Sequence, residues 1–191
     1  MRLSFLGSSH NIRATKTFTA EGVRAYPQIK QFSSICHDVP LALDGLREKE
    51  RLLRKYAREG FCSVKGFLRE PLRNKSRKGA VDRDQFTQNF ILDIDGITLP
   101  GTTFNCPMTR GDLQLISEKI IDLLPPTFHN VSYIVHASSS MGMKGNKVSM
   151  HIDFWLQDPV APRALKEYVT WLNHNIPILE TNLTLSASGT A

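Results

Sequence analysis

The stretch Phe90-Ile-Leu-Asp-Ile-Asp-Gly96 decides how this chain is read. Asp93 and Asp95 alternate with Leu92 and Ile94, which is the period of a β-strand. Side chains two residues apart on a strand share a face, so the two carboxylates are expected side by side, with Leu92 and Ile94 turned into a core. Adjacent carboxylates repel, and both stay ionised at low cost when a cation lies between them. Gly96 is expected to end the run and leave that face open. An acid pair at a strand end, in a basic chain, points to a divalent metal site acting on phosphate.

Working outward, the acid strand leads into a loop with Pro100, Gly101 and Pro107. Thr109-x-x-Asp112 has the form of a capping box, with Asp in place of the usual Glu or Gln. Leu113, Ile116, Ile120 and Leu123 then repeat at helical spacing until Pro125-Pro126. Residues 131–136 read as a strand, 138–146 as a Ser/Gly/Lys turn, and 147–156 as a second strand, together a hairpin. Pro162 opens a helix whose face includes Leu165, Tyr168, Val169 and Leu172. This β-α-β-β-α order is most of a split βαβ unit. A last strand is expected from Leu183.

The first part of the chain, to about Gln85, is less regular. Strands are expected within 15–20 and 26–36, a helix over 41–58 with Leu46, Leu53, Tyr56 and Ala57 on one face, and a strand over 61–68. Residues 69–79, Arg-Glu-Pro-Leu-Arg-Asn-Lys-Ser-Arg-Lys-Gly, form a cationic loop by every local signal. The expectation is therefore one α+β domain. An N-terminal αβ subdomain with the basic loop covers about residues 1–85, and a second half covers about 86–191.

Composition narrows the partners. The 191 residues carry a net charge of +6, which favours a polyanion and nucleic acid before membrane. No apolar run approaches a membrane span, and the opening Met-Arg-Leu-Ser-Phe-Leu-Gly is too short and polar for a secretory signal. Cys36, Cys62 and Cys106 are odd in number and scattered, which fits reduced thiols in a cytoplasmic compartment.

The hairpin adds further polar groups. Ser138, Ser139 and Ser140, with the glycine amides, Lys144 and Lys147, are placed to cradle a phosphate chain. Ser149, His151 and Asp153 alternate with Val148, Met150 and Ile152, so the three polar side chains should share a face.

Asp-x-Asp on a strand, then a helix, then Ser-x-His on a strand after a Ser/Gly hairpin, resembles the archaeo-eukaryotic primase superfamily. The likeness is to the primase–polymerases of phages, plasmids and other mobile elements, and motifs carry it over about residues 60–191. The resemblance implies an RRM-like palm. It assigns catalytic metal binding to Asp93 and Asp95, and contact with the incoming nucleotide's phosphates to Ser149 and His151. The basic loop with Lys75, Arg77 and Lys78 resembles a segment of the phage-type members and would hold template or primer phosphates. The family's third motif, a later aspartate, has no clear counterpart. Asp158 reads as a turn or helix lead-in, Glu180 precedes the last strand, and Asp153 comes too early for the family order. The expectation is a chain that stops before the third acid and is nearly inactive as a polymerase by itself.

The implied reaction is nucleotidyl transfer with Mg²⁺ or Mn²⁺ as a two-metal cofactor, (d)NTPs as substrates and single-stranded DNA as template. A fused or separate replicative helicase is a partner the resemblance leaves open. Two other classes compete. A rolling-circle initiator or relaxase would use histidine-bound metal and Tyr168 as nucleophile, although His151-Ile-Asp153 breaks its two-histidine pattern. A non-catalytic RNA-recognition-like module would need exposed aromatics on its central strands.

Overall fold

Residues Arg2–Ser8, which carry no strand signal in the sequence, form the central strand (β1) of a sheet. The computed structural model describes residues 1–25, 28–103, 108–143 and 145–182. Leu3, Ser4, Phe5, Leu6 and Gly7 are all buried, so β1 lacks the apolar/polar alternation that marks a half-exposed strand. The chain continues through β2 (Thr17–Thr19), β3 (Gly22–Arg24), β4 (Phe32–Asp38), helix α1 (Leu43–Arg58), β5 (Cys62–Ser63), β6 (Phe67–Leu68) and β7 (Val81–Asp82). Strand β1 pairs antiparallel with β4 from Arg2↔Asp38 to Ser8↔Phe32, and with β5 at Phe5↔Ser63. The single strand expected over 61–68 is split into β5 and β6, with Gly66 at φ +143° between them. The strand expected over 26–36 begins later, at Phe32, while Tyr26 and Pro27 lie outside the described residues.

Two apolar clusters hold these elements. Leu3, Phe5, Val39, Leu52 and Tyr56 form one, with Trp155 packed against it, and Leu6, Phe32 and Leu72 form the other. The α1 face differs from the expected one. Leu52 takes a core position, Ala57 is exposed, and Lys49 is 1 % exposed. Lys49 Nζ donates to Asn89 Oδ1 and lies 4.8 Å from the Trp155 ring centroid. A buried lysine is thus accommodated by an amide acceptor and an aromatic face.

The second set of elements is β8 (Thr87–Thr98), α2 (Arg110–Leu123), β9 (Tyr133–Ala137), β10 (Lys147–Val160), α3 (Pro162–Asn175) and the short α4 (Pro177–Glu180). The expected capping box is present, with Thr109 N donating to Asp112 Oδ2 at 2.8 Å and Asp112 N to Thr109 Oγ1 at 3.1 Å. Strand order is β8-β10-β9, so β10 lies between the two strands that α2 connects. That is the connectivity of a split βαβ unit, and the fold class is α+β. Asp158, read from the sequence as a turn or helix lead-in, lies inside β10. The strand expected from Leu183 falls outside the described residues.

The chain divides into two compact units. One is Met1–Phe90 with Trp155–Arg163, and the other is Ile91–Phe154 with the chain from Ala164 on. The sequence placed a boundary near residue 85; the long strands β8 and β10 instead contribute to both units. No described helix is long and apolar enough to cross a membrane.

Candidate active site

Strand β8 carries the acid pair as its alternation predicts. Phe90, Leu92 and Ile94 are 3 %, 3 % and 5 % exposed, while Asp93 and Asp95 are exposed. Gly96 does not end the strand, which runs to Thr98; it sits inside at φ +77°, and a Cβ there would meet nothing within 4 Å. Glycine adopts such a positive φ without the strain that a Cβ would bring.

The Ser-x-His strand meets the Asp-x-Asp strand residue for residue. Ser149 Oγ donates to Asp95 Oδ1 at 3.1 Å and accepts from Gly96 N at 3.0 Å. His151 Nε2 lies 3.1 Å from Asp93 Oδ1. As β8 advances from 93 to 95, its partner falls from 151 to 149, so β8 and β10 run antiparallel with each acid facing one member of the other motif. Two short motifs separated by a helix and a hairpin therefore form one polar cluster.

Their exposure separates their roles. Ser149 is 4 % exposed and both hydrogen bonds of its hydroxyl go to β8, so it orients a carboxylate. Replacing Ser149 with Ala leaves Gly96 N and Asp95 without this partner. The expected costs are about 1–3 kcal/mol of stability and about 10–100-fold in metal affinity, measured by urea unfolding and by metal titration.

His151 has a second neighbour that sequence reading passed over. His136 on β9 pairs in register with His151, and their rings stack at 4.7 Å between centroids and 26° between planes. His136 Nε2 is 3.1 Å from Asp153 Oδ2, and Asp153 is completely buried. Asp153 shares the face of Ser149 and His151 as expected, but its partner on that face is a histidine. The missing signal was register. Strand parity alone does not say which residue of β9 faces His151.

The hairpin turn is built from its own serines. Ser138 Oγ lies 3.0 Å from Ser140 Oγ and accepts from Ser140 N at 3.3 Å, and Ser138 N donates to Ser149 O at 2.9 Å. Ser139 and Lys147 are exposed, and Lys144 lies outside the described residues. The basic loop belongs to the other unit. Lys75 pairs its backbone with Phe32 in both directions, at 2.8 and 3.1 Å, which anchors the loop to β4. The Lys75 side chain lies 2.7 Å from Glu70, whose carboxyl is held below its ordinary range by that hydrogen bond and charge. Arg77 lies 5.6 Å from the Phe32 ring centroid, and Lys78 is exposed.

Tyr168 belongs to a different surface. Its ring stacks on Phe128 at 6.2 Å and on Trp171 at 5.9 Å, and Phe128 in turn meets Phe154. Phe154 is three residues from His151 on one strand, so this aromatic row lies on the opposite side of the sheet. Burial pushes the Tyr168 phenol above its ordinary pKa, opposite to what an activated nucleophile needs.

No protein-family model, no curated protein and no solved structure matches this chain. The chemistry of the site stands on its own geometry. Asp93 and Asp95 present hard oxygen donors of the kind Mg²⁺ and Mn²⁺ take. Among the described residues, no group of three or more His, Cys, Asp and Glu side chains is arranged to hold a metal ion. The hard donors facing out at this point of β8, among the described residues, are the carboxylates of Asp93 and Asp95. That fits a cation which keeps several waters and is completed by substrate phosphate.

Proposed function

We propose that this chain is a metal-dependent nucleotidyltransferase of the primase–polymerase type, which synthesises or extends primers on single-stranded DNA in replication of a mobile element. The observation that carries the reading is the direct antiparallel meeting of Asp93 with His151 and of Asp95 with Ser149. The β8-α2-β9-β10-α3 order with β10 central is what an RRM-like palm would have.

In this reading Asp93 and Asp95 hold the divalent cations, which supply activation of a primer hydroxyl and charge neutralisation at the departing pyrophosphate. Ser149 keeps Asp95 aimed at the open face. His151 lies at the edge of the acid pair, where its Nε2–H, directed to Asp93 Oδ1 at 3.1 Å, would pass to a triphosphate oxygen once Asp93 serves a cation. Lys147, exposed at the mouth of the hairpin, adds positive charge nearby. These are electrostatic and orienting tasks, in which preorganised donors contribute most. The placement of Tyr168 in an aromatic row behind the sheet weighs against its use as a DNA nucleophile.

The test is incorporation. The protein, a single-stranded template and labelled triphosphates with Mn²⁺ should give a low, metal-dependent yield of extended product. A denaturation-resistant tyrosine–DNA adduct would point to the relaxase class instead, and template binding without any incorporation would point to a recognition module.

Template contact is assigned to the basic loop. Replacing Lys75, Arg77 and Lys78 with Ala should lower single-strand affinity without sequence preference, while the Phe32–Lys75 backbone bridge remains. Each phosphate no longer held by a cation should reduce the log–log salt slope by about 0.7. An unchanged slope in a fluorescence-anisotropy titration would return the loop to an ordinary solvated surface.

A further inference from the structure

We propose that His136, held by the buried Asp153, is a positioning residue for His151 and belongs to the same site. Resting on the nucleotidyltransferase reading, this names the group that fixes the orientation of the phosphate-contacting histidine.

Four groups on three strands are linked by successive contacts, Asp93 to His151, His151 to His136 and His136 to Asp153. The outer contacts are both 3.1 Å, and the two rings stack at 4.7 Å. A carboxylate accepts, so each histidine presents its Nε2–H outward to an acid. Asp153 has no exposed surface, and this end of the series is thereby fixed within the packed part of the sheet. The His136 ring, bonded at its edge to this fixed point, presents a plane of set orientation to His151.

The state of His151 follows from its other nitrogen. His151 Nδ1 is buried and has no hydrogen-bond partner among the described residues. A buried N–H without an acceptor is costly, and a bare acceptor nitrogen is the cheaper of the two. Nδ1 is therefore the unprotonated nitrogen and Nε2 carries the hydrogen. A single tautomer aimed at a single place is what a donor to phosphate requires. Rotation of the ring out of its plane would turn Nε2 away from that place and lose the donor. The stacked His136 plane opposes that rotation.

His136→Gln separates positioning from stability. A glutamine amide can still donate to Asp153, so the buried carboxylate keeps a partner, while the stacking plane is removed. Histidine-selective ¹⁵N NMR of the full 191-residue chain, without metal or nucleotide, reads the tautomer directly. In the unaltered protein His151 should show an acceptor-type Nδ1 and a protonated Nε2. In His136→Gln its two nitrogens should move toward averaged shifts at unchanged Tm. Nucleoside triphosphate affinity should fall about tenfold, with single-stranded DNA affinity unchanged.

A His151 spectrum identical in both proteins would overturn the proposal, as would a protonated Nδ1 in the unaltered one. His136→Phe gives a second reading. It restores the ring plane without the bond to Asp153, and should recover part of the single-tautomer spectrum if stacking is the operative contact. If Phe behaves like Gln, the stacking account is wrong. Absence of triphosphate binding by the unaltered protein would sink the functional reading, while the NMR comparison would still decide the role of His136.

Discussion

Asp93→Asn or Asp95→Asn should remove primer synthesis and extension while leaving the fold in place. Asparagine keeps the shape and the acceptor oxygen of each residue, so the contacts with His151 and Ser149 can largely survive. What disappears is charge. Each carboxylate removed would leave a divalent cation less compensated, and among the described residues the proposed site draws on two acids. Losing a group that orients a ligand costs about 10–100-fold in metal affinity; losing the ligand itself should cost at least about a hundredfold. Stability should change little, since the Asp93–His151 pair is partly exposed and such pairs contribute about 0–1 kcal/mol. Extension rates and melting temperatures measured on the same preparations check both halves. Near-normal extension by either variant with Mg²⁺ or Mn²⁺ would show that the acid pair has another purpose.

His151→Ala is the second large effect. A hydrogen bond to a charged group contributes about 1.5–3 kcal/mol, so triphosphate affinity should fall about tenfold or more. DNA affinity should hold, because the basic loop belongs to the other compact unit. The two affinities are measured by separate titrations with labelled nucleotide and labelled single strand. Equal losses in both would mark His151 as a structural residue whose removal disturbs the sheet.

The features legible in the sequence were those with local causes. Strand alternation placed Asp93 and Asp95 outward, and the Thr109–Asp112 box and Pro125-Pro126 bounded α2 correctly. The β-α-β-β-α order followed from such local signals. The failures have a common source in tertiary context. β1 was invisible because both its faces are buried, which erases the period of two. The burial of Lys49 was not foreseen because nothing local announces Asn89 and Trp155 as its partners. His136 was missed because pairing register, which aligns it with His151, is a property of two strands and not of one. The same limit hid the orienting role of Ser149. Its parity was plain, but its hydrogen bonds to Asp95 and Gly96 depend on which residue of β8 it faces.

At the centre of the proposed chemistry, Asp93 and Asp95 together bind a divalent cation which nucleotide then helps to hold. Titration of Mn²⁺ followed by electron paramagnetic resonance tests this most directly, because free and bound ion are counted separately and no turnover is needed. The unaltered chain should bind Mn²⁺, more tightly in the presence of a nucleoside triphosphate than the triphosphate's own affinity explains, and the Asp93→Asn, Asp95→Asn double variant should not. Mn²⁺ bound equally well by that double variant, or no protein-bound Mn²⁺ with triphosphate present, would contradict it.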